Sequence, residues 1–310
     1  MSTGIEDRTA LQNIPDASSP TDAARSEARA KVEAGLDALD TPVIQGRSWS
    51  KTIRRTVVPP VVAAVVIIAL WQILWAAAIW PEYQLPRPSD VWSEIWGLIT
   101  SGTAVDVIWV SLHRALIGFA VAIVIGVPLG MLIGTVRSVR AAIGPLVSGL
   151  MSLPSVAWVP AAILWFGLTP RTIYAVILLG ATPSIAMGLV GGLDQIPTIL
   201  PRVGKALGAS RIQSARHILL PASLPGFIGG LKQGWAFAWR SLMAAELIAG
   251  SPQLGLGLGQ YLDQGRALND MTKVFTGIFL ILFVGILVDV AIFRPLERRV
   301  LRSRGLTGVN

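Results

Sequence analysis

Long apolar stretches dominate the pattern of hydrophobic and polar positions along this chain. About 20 helical residues, at about 1.5 Å each, cross the hydrocarbon core of a bilayer. Four stretches of at least 20 residues carry no charge, and a fifth carries only Asp289. The five stretches are Val57–Trp80, Ala115–Gly134, Ala141–Leu168, Thr172–Leu193 and Val274–Phe293. The pattern therefore predicts an all-α integral membrane protein.

A sixth apolar stretch, Ala222–Gly250, contains Lys232, Arg240 and Glu246. A charge near the bilayer centre costs several kcal/mol unless it meets a partner or water. Charged side chains in membrane spans usually face a bundle interior or a water-filled cavity. We therefore predict about six transmembrane helices and regard these three side chains as candidates for lining a path through the membrane.

The Lys and Arg residues indicate how the spans are oriented. If the N-terminus is inside and the spans alternate, the short inner segments next to the spans, counted from Arg47, carry fifteen Lys and Arg residues and the outer segments five. The positive-inside rule then places both termini in the cytoplasm. It also accounts for the net charge of +8 without a nucleic-acid partner. Asp289, near the inner end of the last span, is expected to pair with Arg294 or to reach interfacial water.

The chain is predicted to divide into four parts. Residues 1–56 hold eight acidic and eight basic residues and suggest a partly disordered cytoplasmic extension, in which 23–39 could form a charged helix. Residues 57–110 form the first span and a periplasmic amphipathic segment with an aromatic belt. Residues 111–293 form the core, with a loop at 194–221, and residues 294–310 form a cytoplasmic tail. The belt consists of Trp80, Trp92, Trp96 and Trp109.

Composition and motifs argue against an enzyme. Hydrophobic residues make up 53% of the chain, there is no cysteine, and the two histidines, His113 and His217, are too few for a histidine metal site. Gly204-Lys205 is followed by Ala206, which does not fit a phosphate-binding P-loop. We expect no catalytic residue, no metal and no cofactor bound by this chain.

The loop at 194–221 has the periodicity of a short amphipathic helix after Ile199. Gly208 is expected to stop that helix, and Ser210 to cap a second helix running toward Leu220. Two short helices joined by small residues would form a compact docking element for a partner. An ordinary interfacial loop is the alternative.

Glycine and proline predict packing and bends within the spans. Gly126, Gly130 and Gly134 repeat every four residues, a spacing that lets helices approach closely in lipid. Pro154 and Pro183 lie within spans and are expected to bend their helices.

The loop also resembles a known signature. Gly208, Ile218 and Leu220-Pro221 match the G-x9-I-x-L-P portion of the cytoplasmic motif of ATP-binding-cassette (ABC) importer permeases. The residues on either side of this motif resemble those of the subfamily that imports nitrate, taurine and aliphatic sulfonates. The resemblance extends over residues 57–299. One departure is Arg202-Val203-Gly204, where the family usually has Glu-Ala-Ala.

The resemblance implies a type I ABC importer permease (MetI-like) fold that works as a homodimer in the inner membrane. Two separate ATPase subunits would bind ATP and magnesium and would receive a coupling helix at Ile199–Arg211. An extracytoplasmic substrate-binding protein would contact Glu82–Trp109 and Ser251–Met271. The residues implied in coupling are Leu207, Gly208, Ala209, Ser210, Arg211, Ile218, Leu220 and Pro221.

The solute remains open between nitrate, taurine, sulfonates and heterocyclic precursors. Arg240 could attract an anionic solute through its planar guanidinium. Alternatively, Arg240 and Glu246 pair with other helices and hold the bundle together.

Two other functions also stay open. An ion-coupled secondary transporter should show two halves with matching broken spans, and a non-transporting scaffold subunit would not need the spacing from Gly208 to Pro221.

Overall fold

The computed structural model describes residues 27, 29–33, 58–251 and 254–304. The chain divides into two compact units, residues 1–67 and 68–310. In the first unit, residues 27 and 29–33 are helical and exposed. Most of the predicted extension at 1–56, and the rest of its possible helix at 23–39, lies outside the described residues. All regular structure in the described residues is helical.

The helices follow one another with short connections. In chain order they are α1 (Val58–Ala76), α2 (Pro88–Thr100), α3 (Thr103–Thr135), α4 (Arg137–Ser152), α5 (Val159–Phe166), α6 (Pro170–Asp194), α7 (Ile199–Ala206), α8 (Arg211–Ser214), α9 (Leu220–Ile248), α10 (Leu258–Ala267), α11 (Met271–Val288) and α12 (Arg294–Ser303). A 3-10 turn, Ser155–Trp158, precedes α5, and π-helical turns lie at Ala215–Leu219 and Asp289–Phe293.

The part of the chain that the structure describes contains fewer clear membrane spans than the six that the apolar pattern predicts. Among the described residues, α1, α3, α6 and the continuous segment Met271–Ser303 are long and apolar enough to cross a membrane. The pair α4 and α5, bent by 99°, would make a fifth span. The 29-residue helix α9 is not among these apolar spans, so the count of six is not established.

Several span boundaries differ from the prediction. The first helix ends at Ala76 rather than Trp80, and the second begins at Thr103 rather than Ala115. The third span is broken rather than continuous, and Pro154 lies at the break, as expected of a residue that cannot extend a helix. Pro183, in contrast, lies within the single helix α6.

Helix α6 forms the centre of the core, between α3 and α9. Glycines allow the backbones to approach. A Cβ on Gly130 would lie 2.6 Å from the carbonyl oxygen of Ala186, and one on Gly230 would lie 2.4 Å from the Cα of Gly188. The predicted packing role of the Gly126–Gly134 stripe is confirmed, and the contact between Gly188 and Gly230 adds a second close crossing. The exposed sides of α1 and α11 are apolar, as expected of helices that face lipid.

Candidate coupling elbow and charged residues of the spans

The segment 194–221, here called the elbow, consists of two short helices at a sharp turn. Helix α7 ends at Ala206, and Gly208 follows with φ of 78°, a left-handed conformation that glycine adopts without a steric penalty. Ser210 accepts a hydrogen bond from the backbone N–H of Gln213, and the Gln213 side chain accepts one from the Ser210 N–H. The predicted stop and cap are confirmed. The predicted coupling helix is shorter than Ile199–Arg211, because this turn and cap begin a new helix.

The tip of the elbow exposes apolar side chains. Leu207 is 82% exposed and Ile212 is 80% exposed. Gly208, Ser210 and Arg211 are exposed beside them, whereas Ala209 is half-buried. Large apolar side chains exposed at one turn mark this surface as a candidate contact for another protein.

The signature residue Ile218 fixes one short helix against the other. A Cβ on Gly204 would lie only 2.3 Å from the Cδ1 of Ile218, so Ile218 packs where Gly204 has no side chain. Leu220 and Pro221 are half-buried at the start of α9. The departure at Arg202-Val203-Gly204 therefore has a structural consequence: its glycine accommodates the signature isoleucine.

The elbow is connected to the spans at both ends. At its first residue, Arg140 donates two hydrogen bonds to the carboxylate of Asp194, at 2.8 and 2.6 Å. In its second half, the chain stays helical from Arg211 through the π-helical turn into α9, without a break at Pro221 or Pro225. The tip is thus joined by continuous helix to the segment that carries the charged residues of the spans.

Glu246 is completely buried and is the centre of a polar cluster. Its carboxylate accepts hydrogen bonds from Arg114 at 2.9 Å, from Ser111 at 2.7 Å and from the backbone N–H of Gly259 at 3.0 Å. Arg114 also donates to the carbonyl of Leu254. Glu246 thus joins α3, α9 and the start of α10 in the core, and the predicted alternative of pairing between helices is seen for this residue.

Lys232 and Arg240 have different surroundings. Lys232 is paired with Asp289 at 2.8 Å, and Arg294 lies 3.5 Å from the same carboxylate. The expected pair between Asp289 and Arg294 is confirmed, while its stronger contact with Lys232 was not predicted. Arg240 is exposed and donates from Nε to the carbonyl of Ala236 on its own helix. Within the described residues it has no acidic partner, so pairing with another helix of this chain is not seen for Arg240.

Two features were missed from sequence. Gln233 is exposed seven residues before Arg240, and that spacing along a helix could have revealed a shared face. The pair of Arg140 with Asp194 leaves no such signal, because 54 residues separate the two and they lie in different predicted inner segments. Among the described residues no group of three or more His, Cys, Asp or Glu side chains is placed to hold a metal ion.

Comparisons with known proteins agree with this architecture. Residues 126–302 match the family described as "Binding-protein-dependent transport system inner membrane component". A putative aliphatic sulfonates transport permease protein of Bacillus subtilis is 30% identical, over 77% of this chain and 85% of its own. A nitrate import permease protein of Leptolyngbya laminosa is 30% identical over 79% and 88%, and the taurine transport system permease protein of Escherichia coli is 26% identical over 81% and 91%.

A solved structure shows the same fold. An inward-facing structure of the MetNI methionine ABC transporter superposes with a TM-score of 0.54 at 24% identity. The match covers 63% of this chain and 95% of the other.

Proposed function

The chain belongs to the family of inner-membrane components of binding-protein-dependent transport systems, and from this premise we propose that it forms the solute path of an ATP-driven importer. A separate ATPase supplies the energy, as in ABC importers, whose permease subunit is not catalytic. This membership favours an importer permease over an ion-coupled transporter or a scaffold subunit.

The observation that carries the proposal is the exposed tip of the elbow around Leu207 and its helical connection to α9. We assign to this tip the docking contact with the ATPase. A rigid docked element biases the equilibrium between two arrangements of a packed bundle, so closure of the ATPase would move α9 and change access to the path. Leu207, Gly208, Ser210 and Arg211 would touch the partner, whereas Ile218 and Pro221 would hold the elbow in shape.

The assembly we propose is a homodimer of this chain with two ATPase subunits in the inner membrane, with both termini in the cytoplasm. The segments Glu82–Trp109 and Ser251–Met271 would face the substrate-binding protein. Within each copy, we propose a cytoplasmic extension at 1–56, a first span with a periplasmic segment at 57–110, the permease core at 111–293 and a cytoplasmic tail at 294–310.

For the solute we propose a small oxyanion. Three relatives are named for aliphatic sulfonates, nitrate and taurine, and each of these solutes carries a negatively charged group of several oxygens. Helix α9 offers basic groups for such a solute, and of the three earlier candidates Arg240 remains the strongest, because Lys232 and Glu246 are paired.

Co-purification tests the role of the elbow. Leu207→Ser should abolish recovery of the ATPase subunit with tagged permease from membranes. Leu268→Ser removes an exposed leucine, 67% accessible, from the connection between α10 and α11 and serves as the matched control. Equal recovery with both variants contradicts docking at the tip. Accumulation of solute by liposomes that contain this chain alone would contradict the proposed function as a whole.

A further inference from the structure

The three charged side chains of α9 differ in whether another residue of the chain neutralises them. Glu246 is paired with Arg114, and Lys232 is paired with Asp289. Arg240 has no acidic partner among the described residues. An uncompensated guanidinium in a membrane span is costly in lipid, so its face requires water or an anion.

The guanidinium of Arg240 is held in place by its own helix. Its Nε donates to the carbonyl of Ala236 at 3.0 Å, and its central carbon lies 4.9 Å from the ring centre of Phe237. Both contacts leave the two terminal nitrogens without a partner among the described residues. A fixed guanidinium with two free terminal NH₂ groups matches two oxygens of an oxyanion and loses little side-chain entropy on binding.

Gln233 lies on the same exposed face of α9. Seven residues correspond to about 700° of helix, only about 20° short of two full turns, and to about 10 Å along the axis. Gln233 is exposed, as is Gly229 one turn farther from Arg240. The face therefore presents Arg240, then the short side chain of Ala236, then an amide with both donor and acceptor atoms.

We propose that Arg240 is the oxyanion-binding group of the solute path and that Gln233 is the next polar contact toward the cytoplasm. This proposal rests on the importer function above and specifies its ligand. Arg240 lies about 12 Å from the Ile248 end of α9, since eight residues separate them. With both termini inside, that end is the outer one, so Arg240 meets an arriving solute first. Each chain thus offers the path one unneutralised positive charge, which would attract an anionic solute such as a sulfonate or nitrate.

Accessibility of the face can be measured directly because the chain has no cysteine. Arg240→Cys and Gln233→Cys should react with the membrane-impermeant anionic reagent methanethiosulfonate ethylsulfonate in the assembled transporter. Leu282→Cys, at an exposed apolar position of α11, provides the control and should stay unmodified. If Arg240→Cys is as unreactive as Leu282→Cys, the face does not meet water and the proposal is wrong.

Binding of the ligand class is tested with the complex of permease and ATPase in nanodiscs, using calorimetric titration with methanesulfonate and with nitrate. Arg240→Gln should weaken binding about tenfold or more, because it removes two charge-assisted hydrogen bonds. The affinity of Arg240→Lys should lie between those of the unaltered chain and Arg240→Gln. Arg171→Gln is the matched control, since Arg171 is exposed at the start of α6 with no acidic partner among the described residues, and it should bind as the unaltered chain does.

The outcomes separate this proposal from the importer function. Unchanged affinity in Arg240→Gln, or lost assembly with unchanged affinity, would overturn it, and so would a failure of the unaltered complex to bind either oxyanion. The ATPase should still co-purify with Arg240→Gln. If the ATPase does not co-purify with the unaltered chain, the importer function itself is wrong.

Discussion

Arg114 on α3 and Glu246 on α9 form a buried ion pair, with Nη1 of the arginine 2.9 Å from Oε1 of the glutamate, although 132 residues separate them. Ser111 extends the pair into a network, because its hydroxyl donates to Glu246 and accepts the backbone N–H of Leu258. The same cluster contains the Gly259 N–H and the Leu254 carbonyl. Glu246, Arg114 and Ser111 therefore act together to hold the connection between α9 and α10 to the core.

Removing that negative charge should destabilise the protein strongly. Glu246→Gln keeps the shape of the side chain, but Arg114, which is almost buried, loses its counter-charge. Because breaking a buried ion pair costs about 3–5 kcal/mol, the free energy of unfolding should fall by about that amount. Asp263→Asn is the control, because it breaks a more exposed pair with Arg266, for which about 1 kcal/mol or less is expected. Unfolding of the purified protein in detergent measures both, and similar losses would show that the buried cluster has no special weight.

The crossing of α6 and α9 should tolerate no side chain at Gly230. A Cβ there would lie 2.4 Å from the Cα of Gly188, and backbone atoms cannot move aside as a side chain can. Gly230→Ala should lower the free energy of unfolding by about 1–3 kcal/mol. Gly229→Ala, where nothing lies within 4 Å, should be neutral or stabilising by up to about 1 kcal/mol. Equal melting of the two variants would contradict the close crossing.

The cap of the elbow should be needed for its rigidity. Ser210→Ala removes the acceptor for the Gln213 N–H and should cost about 1 kcal/mol locally, while Ser210→Asn should retain the cap. Hydrogen exchange at the Gln213 amide should therefore accelerate in the alanine variant only. On the proposed function, stimulation of the ATPase should fall in parallel, and unaltered exchange in the alanine variant would show that the cap does not hold the turn.

Tyr261 provides a pH-dependent contribution to stability. Burial, and then its hydrogen bond of 2.9 Å to Glu94, raise the pKa of this phenol above its ordinary value of 10.0. Since the folded protein favours the neutral phenol, the resulting stability is complete below pH 10.0 and is lost as the pH rises through the folded-state pKa. Glu94→Gln should lower that pKa without restoring the ordinary value, because burial remains.

Absorbance of tyrosinate during an alkaline titration checks this, and the difference from Tyr261→Phe assigns the signal. A Tyr261 signal that titrates near pH 10.0 in the unaltered protein would contradict the buried environment.

Much of the architecture was predictable because its causes are local. Apolar stretches long enough to cross a bilayer identified most spans, and the stop at Gly208 and the cap at Ser210 depend on residues within a few positions of one another. The span boundaries were less accurate, since α3 begins at Thr103, where polar residues alternate with apolar ones and periodic hydropathy gives no sharp limit.

The sequence by itself determined that the chain crosses a membrane, where its helices lie and where the elbow turns, because hydrophobicity, helix caps and glycine conformation act over a few residues. Only the tertiary structure decided which charges of α9 are neutralised. Lys232 pairs with Asp289 in the π-helical turn after α11, and Glu246 pairs with Arg114 on α3. The contacts of Arg240, in contrast, are with its own helix. Those pairings depend on helices brought together by packing, including the contact of Gly188 with Gly230, and no local pattern along the chain records them.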